Sequence, residues 1–166
     1  MISRIVTLKD ITRAQKYKEM IDSNNPDKIQ RFVSKTAWIG YLMEEVVAKW
    51  LAENRVKYTR IASTSVPGKY DLTINNQRID VKGSIGSLRL NRSQFFSAKG
   101  KIDKFLFCEY IPSKFTVCIE GYLSIDEVPK NRTVKHNNGA HVHATHFSIS
   151  RKNLHSPEDL LKEAFQ

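Results

Sequence analysis

The sequence predicts an α/β fold of the α+β kind, with a central mixed β-sheet whose three-stranded meander is flanked by helices. Three observations predict it. Helical patterning fills the first third of the chain, short strand-like runs occupy residues 56–125, and one short capped helix interrupts those runs. Helices before, between and after a set of strands can cover both faces of one sheet. The 166 residues match a single domain. Within it, residues 1–34 read as an N-terminal helical extension, 35–125 as the core, and 126–166 as a loop, a strand and a C-terminal helix.

Residues 10–22, DITRAQKYKEMID, read as a short amphipathic helix with Asp10 as its N-cap. Asn25-Pro26 gives a second start signal, because proline is favoured at the first helical position. The helical pattern then runs towards Leu51, with an interruption around Ser34 to Thr36. From Val56 the strand-like runs are KYTRIAS, YDLTI, QRIDVKG, FLFCEYI and FTVCIEGYLSI. Between the third and fourth lies LNRSQFFSAKG, where Asn91 or Ser93 can cap a short helix ending at Gly100. Residues 126–140 are polar and contain Gly and Asn, the composition of a loop. Residues 141–150 read as one more strand, and Ser156-Pro157 opens a terminal helix carrying Leu160, Leu161 and Phe165.

The hairpin Lys69 to Gly83, KYDLTINNQRIDVKG, is the most informative segment. Asn75-Asn76 suits a two-residue turn, since Asn tolerates the left-handed conformation such turns need. Counting outward from that turn pairs Ile74 with Gln77, Thr73 with Arg78, Leu72 with Ile79, and Asp71 with Asp80. Alternation then gives one apolar face, Leu72, Ile74, Ile79 and Val81, and one face with Asp71, Asp80 and Lys82. Like charges opposite each other on adjacent strands destabilise, their Cβ atoms being only ~5 Å apart. A divalent cation removes the conflict, because hard Mg²⁺ takes one or two carboxylates together with water and phosphate oxygens. Lys82 leaves the same face and can orient or deprotonate a water, or stabilise charge on a phosphate. The plain alternative is a solvated hairpin face on which Lys82 simply pairs with Asp80.

Tyr70-Asp71, eight intervening residues, and Asp80-Val81-Lys82 resemble the signature of the PD-(D/E)xK nuclease superfamily, which includes restriction endonucleases and Holliday-junction resolvases. Tyr70 stands where the family's name puts proline. The family's core of helix, three-stranded meander, helix and strand matches the order read from about Lys35 to Glu120. The resemblance implies a restriction-endonuclease-like fold and Mg²⁺ as cofactor, with Mn²⁺ able to substitute. It implies Asp71 and Asp80 as metal ligands, the Val81 carbonyl as a further ligand, and Lys82 as the residue serving the water. It also implies an acid from the preceding helix, commonly four residues after a glycine, and Gly40-Tyr41-Leu42-Met43-Glu44 has that form. On a helical projection Leu42, Val46, Ile39, Trp50, Met43 and Val47 make the apolar stripe. Glu44 borders that stripe beside Leu51, whereas Glu45 falls further round towards Lys49, so Glu44 is the candidate.

The charge balance fits a polyanionic partner. Lys and Arg number 27 against 17 Asp and Glu, for a net charge of +10, and each neutralised phosphate releases a condensed counterion. A basic surface kept for solubility is the alternative. Arg89, Arg92, Gln94 and Lys99 follow Lys82 closely, and Arg and Gln suit phosphate or base-edge contacts; the alternative is a solvent-facing helix. His136, His141, His143 and His146 invite a zinc reading, but no acid or Cys lies among them, which favours DNA backbone contact or surface placement. Cys108 and Cys118 lie in apolar runs and read as free buried thiols. No window approaches the ~18 apolar residues of a membrane span, and MISRIVTLKDITR lacks a signal-peptide core. No Gly-rich phosphate loop suggests a nucleotide cofactor. The expectation is therefore a soluble cytoplasmic Mg²⁺-dependent endodeoxyribonuclease. Cutting both strands of a duplex calls for a homodimer. The alternatives are a non-catalytic basic DNA-binding module of the same fold, or a ribonuclease.

Overall fold

A computed structural model of the chain describes residues 1–23, 37–61, 70–128, 133–135, 141–143 and 145–166. The Asn25-Pro26 start, the Ser34 to Thr36 interruption, Lys69 and His136 lie outside the described residues. In order, the elements are β1 (Ile2–Ile5), α1 (Leu8–Ser23), α2 (Trp38–Glu53), β2 (Thr59–Arg60), β3 (Leu72–Ile74), β4 (Gln77–Ser84), β5 (Arg89–Asn91), α3 (Arg92–Ala98), β6 (Lys104–Ile111), β7 (Thr116–Ser124), β8 (Thr133–Lys135), β9 (His141–His143), β10 (His146–Ser148) and α4 (Pro157–Ala164). The fold is mixed α/β. Six strands form one mixed sheet in the order β1-β7-β6-β4-β3-β2, and β5–β10 and β8–β9 form two separate ribbons.

Local chemistry explains most of these elements. Asn75 and Asn76 sit at φ +46° and +63°, the backbone of a type I′ turn whose twist matches the flanking strands. The register follows, with Leu72 opposite Ile79, Thr73 opposite Arg78 and Ile74 opposite Gln77. Asn91 rather than Ser93 caps α3, its side chain accepting from the Ser93 amide at 2.9 Å. Gly100 at φ +76° ends that segment. Ser156 caps α4 ahead of Pro157. The β4–β6 pair is parallel, while its neighbours in the sheet are antiparallel, because α3 carries the chain back before β6 begins.

Four expectations need correction. Asp10 is not the N-cap of α1. Thr7 occupies that place, and Asp10 reaches back to the Thr7 amide at 2.9 Å while its own amide donates to the Thr7 hydroxyl at 3.2 Å, the reciprocal pairing of a capping box. The extension is not wholly helical either: Ile2–Ile5 joins the sheet against β7. Its four residues look like a strand only because β7 offers an open edge. Residues 126–140 are not all loop, since Thr133–Lys135 pairs with His141–His143. The 141–150 strand is divided, with His146–Ser148 pairing instead with Arg89–Asn91.

Two apolar cores lie on opposite sides of the sheet, as the alternation along β6 requires. Leu106 and Cys108 belong with Leu72, Ile74, Ile79, Val81 and the apolar stripe of α2. Phe105 and Phe107 belong with Leu90, Phe95, Leu123 and Phe147 under α3 and the β5–β10 ribbon. Asp80 pairs with Phe105 and Lys82 with Phe107 in the β4–β6 register. The polar face of the hairpin is thus packed under a second core instead of facing open water.

Candidate active site

The end of the hairpin away from its turn is where the carboxylates meet. The regular ladder stops at Leu72–Ile79. One residue further, the Asp71 amide donates to the Ile79 carbonyl at 2.9 Å, and the Asp71 carboxyl accepts the Val81 amide at 2.7 Å. The same carboxyl hydrogen-bonds to Asp80. The predicted opposition of Asp71 and Asp80 therefore holds as a side-chain contact but not as a regular ladder pair. In a strand the N–H and C=O of one residue leave on the same side. The Val81 carbonyl therefore opens on the edge where β3 has ended, beside Asp71.

Burial sets the electrostatics. The Asp80 side chain is only 9% exposed, and the Lys82 ammonium lies 2.7 Å from it, itself 19% exposed. The solvated-hairpin alternative supplied the ion pair but not this burial. Desolvation, followed by the charges of Asp80 and Glu44, pushes the Asp71 carboxyl up from its ordinary 3.8 to about 9. Burial and the two neighbouring charges therefore favour the protonated form of Asp71 well above the ordinary carboxylate range.

Glu44 arrives from α2. Its side chain is 12% exposed against 36% for Glu45, so the edge-of-stripe argument chose the more enclosed acid. Burial raises the Glu44 carboxyl, the neighbouring Asp80 and Glu45 charges add to that, and Arg60 opposes it. Arg60 on β2 contacts both acids, reaching Glu44 at 3.4 Å and Glu45 more closely. Sequence reasoning missed Arg60, which sits in a two-residue strand with no motif of its own. Gly83 lets the helix come near. A Cβ there would lie 2.8 Å from the Met43 side chain and 3.6 Å from the Gly40 Cα, one residue from Glu44.

Among the described residues, no three His, Cys, Asp or Glu side chains stand as a metal cage in their present rotamers. Each acid holds a protein partner: Asp71 the Val81 amide, Asp80 the Lys82 ammonium, Glu44 the Arg60 guanidinium. The donors present are hard carboxylate and carbonyl oxygens, the kind Mg²⁺ or Mn²⁺ takes. Burial and their crowded charges push the Asp71 and Glu44 carboxyls up. A dication suits that position.

The four residues read together as nucleic-acid contacts divide into two places. Arg89 and Gln94 line a cleft of about 530 Å³ that also contains Lys82 and His146. Arg92 and Lys99 line a separate pocket of about 150 Å³ with Phe95, Phe96 and Phe147, where the Arg92 guanidinium lies 5.1 Å from the Phe147 ring centre. Of the other histidines, His141 and His143 lie on β9, which pairs with β8. Cys108 and Cys118 are free and buried, as expected. No described helix is long and apolar enough to cross a membrane. Comparison with family profiles, curated proteins and solved structures returned no match.

Proposed function

We propose that this chain is a Mg²⁺-dependent endonuclease of the PD-(D/E)xK kind, with a restriction-endonuclease-like core, that hydrolyses DNA phosphodiester bonds. One observation carries the reading: three carboxylates from separate segments, Glu44, Asp71 and Asp80, lie within electrostatic reach of one another beside Lys82. A fold gains no stability from burying like charges, so such a cluster is better explained by a ligand that needs it.

Asp71, Asp80 and the Val81 carbonyl would hold the ion, with Glu44 assisting. When bound, Mg²⁺ supplies Lewis-acid stabilisation of charge on the phosphate. The chain's own groups do the rest. Lys82, pinned between Asp80 and the Phe105 ring at 6.0 Å, positions a water for in-line attack or neutralises charge on the phosphate in the transition state. Arg60 holds Glu44 in place until the ion competes for it. The ten excess positive charges draw the polyanion in.

The test is incubation with Mg²⁺, Mn²⁺ or EDTA and a panel of plasmid, junction, single-stranded DNA and RNA substrates. Metal-dependent DNA cleavage that Asp71→Asn abolishes is the expected result. Cleavage of RNA alone, or equal cleavage by Asp71→Asn, overturns the proposal.

A further inference from the structure

The cleft beside Lys82 has a chemistry of its own. One wall is the β5–β10 ribbon, in which Leu90 pairs with Phe147 while Asn91 pairs with His146 and Arg89 with Ser148. Leu90 and Phe147 are buried in the second core. Alternation therefore turns Arg89, Asn91, His146 and Ser148 to the other side, and three of these line the cleft. Among the described residues no Asp or Glu lines it, although Asp80 is paired to the Lys82 that does. Lys82, Arg89 and His146 supply cationic or proton-bearing nitrogens, and Arg89 is steadied through its Nε by the Ser87 hydroxyl at 2.8 Å. Gln94 is exposed at the same cleft, and its side-chain amide makes no hydrogen bond among the described residues. That amide carries a donor and an acceptor side by side, the pattern that matches a base edge. The Asn91 side chain, by contrast, is committed to capping α3.

From this cleft we infer a substrate class: it seats a single polynucleotide strand, with Arg89 and His146 on phosphates and Gln94 on a base, and leads that strand to Lys82. The size of the cleft and the burial of the neighbouring acids carry the choice against a duplex. A volume of about 530 Å³ suits a small molecule or a few nucleotides, within the ~300–1,000 Å³ range of ligand clefts. The reacting acids are recessed, Asp80 at 9% exposure and Glu44 at 12%. A phosphate in an intact double helix is held on a broad rigid cylinder and approaches buried acids less readily than one on a strand end, flap or gap. This inference rests on the nuclease reading for its direction of travel, but the binding itself does not depend on catalysis.

Fluorescence anisotropy of end-labelled oligonucleotides, in EDTA so that cleavage does not intervene, tests it with the full chain. Single-stranded DNA and a duplex carrying a single-stranded tail are expected to bind at least about tenfold more tightly than a blunt duplex of equal length. Arg89→Ala and His146→Ala should each weaken strand binding, with Arg89→Ala lowering the salt slope by up to about one. Gln94→Ala should flatten preferences among homopolymers. Circular dichroism melts verify that these surface variants are folded. Equal affinity for blunt duplex, or variants that bind strands as wild type does, overturns the assignment whether or not the protein proves to be a nuclease. Strand-selective binding without any cleavage leaves the cleft standing and sinks the nuclease reading instead.

Discussion

The raised carboxyl of Asp71 is a handle on the site. Its pKa is raised from 3.8 to about 9 by burial and by the charges of Asp80 and Glu44. Between those values the folded chain holds a proton that the unfolded chain has released. Stability in EDTA must therefore fall as pH rises through that window, the loss being complete only above about 9. Mg²⁺ should oppose the fall, and its affinity should climb over the same range because it displaces the proton. Asp71→Asn mimics the protonated acid, with an oxygen for the Val81 amide and an NH₂ for Asp80. It should melt with little pH dependence in EDTA, gain several kcal/mol at pH 8, and bind Mg²⁺ poorly. A steep pH slope that survives in this variant would show that the proton resides elsewhere. Lys82→Ala separates binding from chemistry in another way. An ammonium cannot ligate a cation, so Mg²⁺ affinity should persist and DNA affinity should fall only slightly, while single-turnover cleavage falls by at least ~100-fold. If Lys82 were only an ion-pair partner of Asp80, the rate would scarcely change.

At the scale of elements, two contacts hold the hairpin in place. The Asn75 side-chain amide donates to the Glu163 and Ala164 carbonyls at 3.1 and 2.9 Å, so the turn residue also satisfies the end of α4. Asn75→Gly keeps the positive φ and loses the cap, for a cost of ~1 kcal/mol. Asn75→Ala loses both and should cost about 1–2 kcal/mol more, as urea titration would resolve. Equal losses would mean the left-handed backbone adds nothing. The second contact is the approach of α2 to β4 at Gly83. Gly83→Ala places a methyl 2.8 Å from the Met43 Cγ, and overpacking of this kind typically costs ~1–3 kcal/mol. Because Glu44 follows Met43, cleavage should fall by more than the stability loss explains, and Gly83→Ala combined with Met43→Ala should cost less than the sum of the two single changes. Strict additivity would separate Glu44 placement from this contact.

At the scale of the molecule, the +10 charge acts on DNA as a field rather than through one contact. Affinity should drop steeply with salt, by a log–log slope near −0.9 for each phosphate neutralised on a duplex. Arg92→Ala should leave that slope nearly unchanged, because its guanidinium is held over the Phe147 ring. It should instead weaken packing by ~0.5–1 kcal/mol. A slope change equal to that of Arg89→Ala would place Arg92 on the polyanion after all.

What could be read directly in the residues is what short-range physics fixes. The Asn-Asn turn, alternation on either side of it, and the Ser156-Pro157 start are decided by a few neighbouring dihedrals. The hairpin count from Asn75-Asn76 alone set the strand register and brought Asp71 to Asp80. Helical periodicity, with the spacing from Gly40 that the resemblance implies, separated Glu44 from Glu45. Tertiary structure decided everything that needs a partner distant in the chain. The edge of β7 makes a strand of Ile2–Ile5, and Thr7 outcompetes Asp10 as the cap once the helix starts at Leu8. Packing of Phe105 and Phe107 beneath the ribbon turns a polar hairpin face into a recess with a raised carboxyl pKa. The division of Arg89 and Gln94 from Arg92 and Lys99 is of the same kind. All four lie within eleven residues, but the β5–β10 pairing and the turn into α3 send them to two different pockets. Periodicity states which residues share a face; only the packed elements on that face determine what it meets and how much water remains.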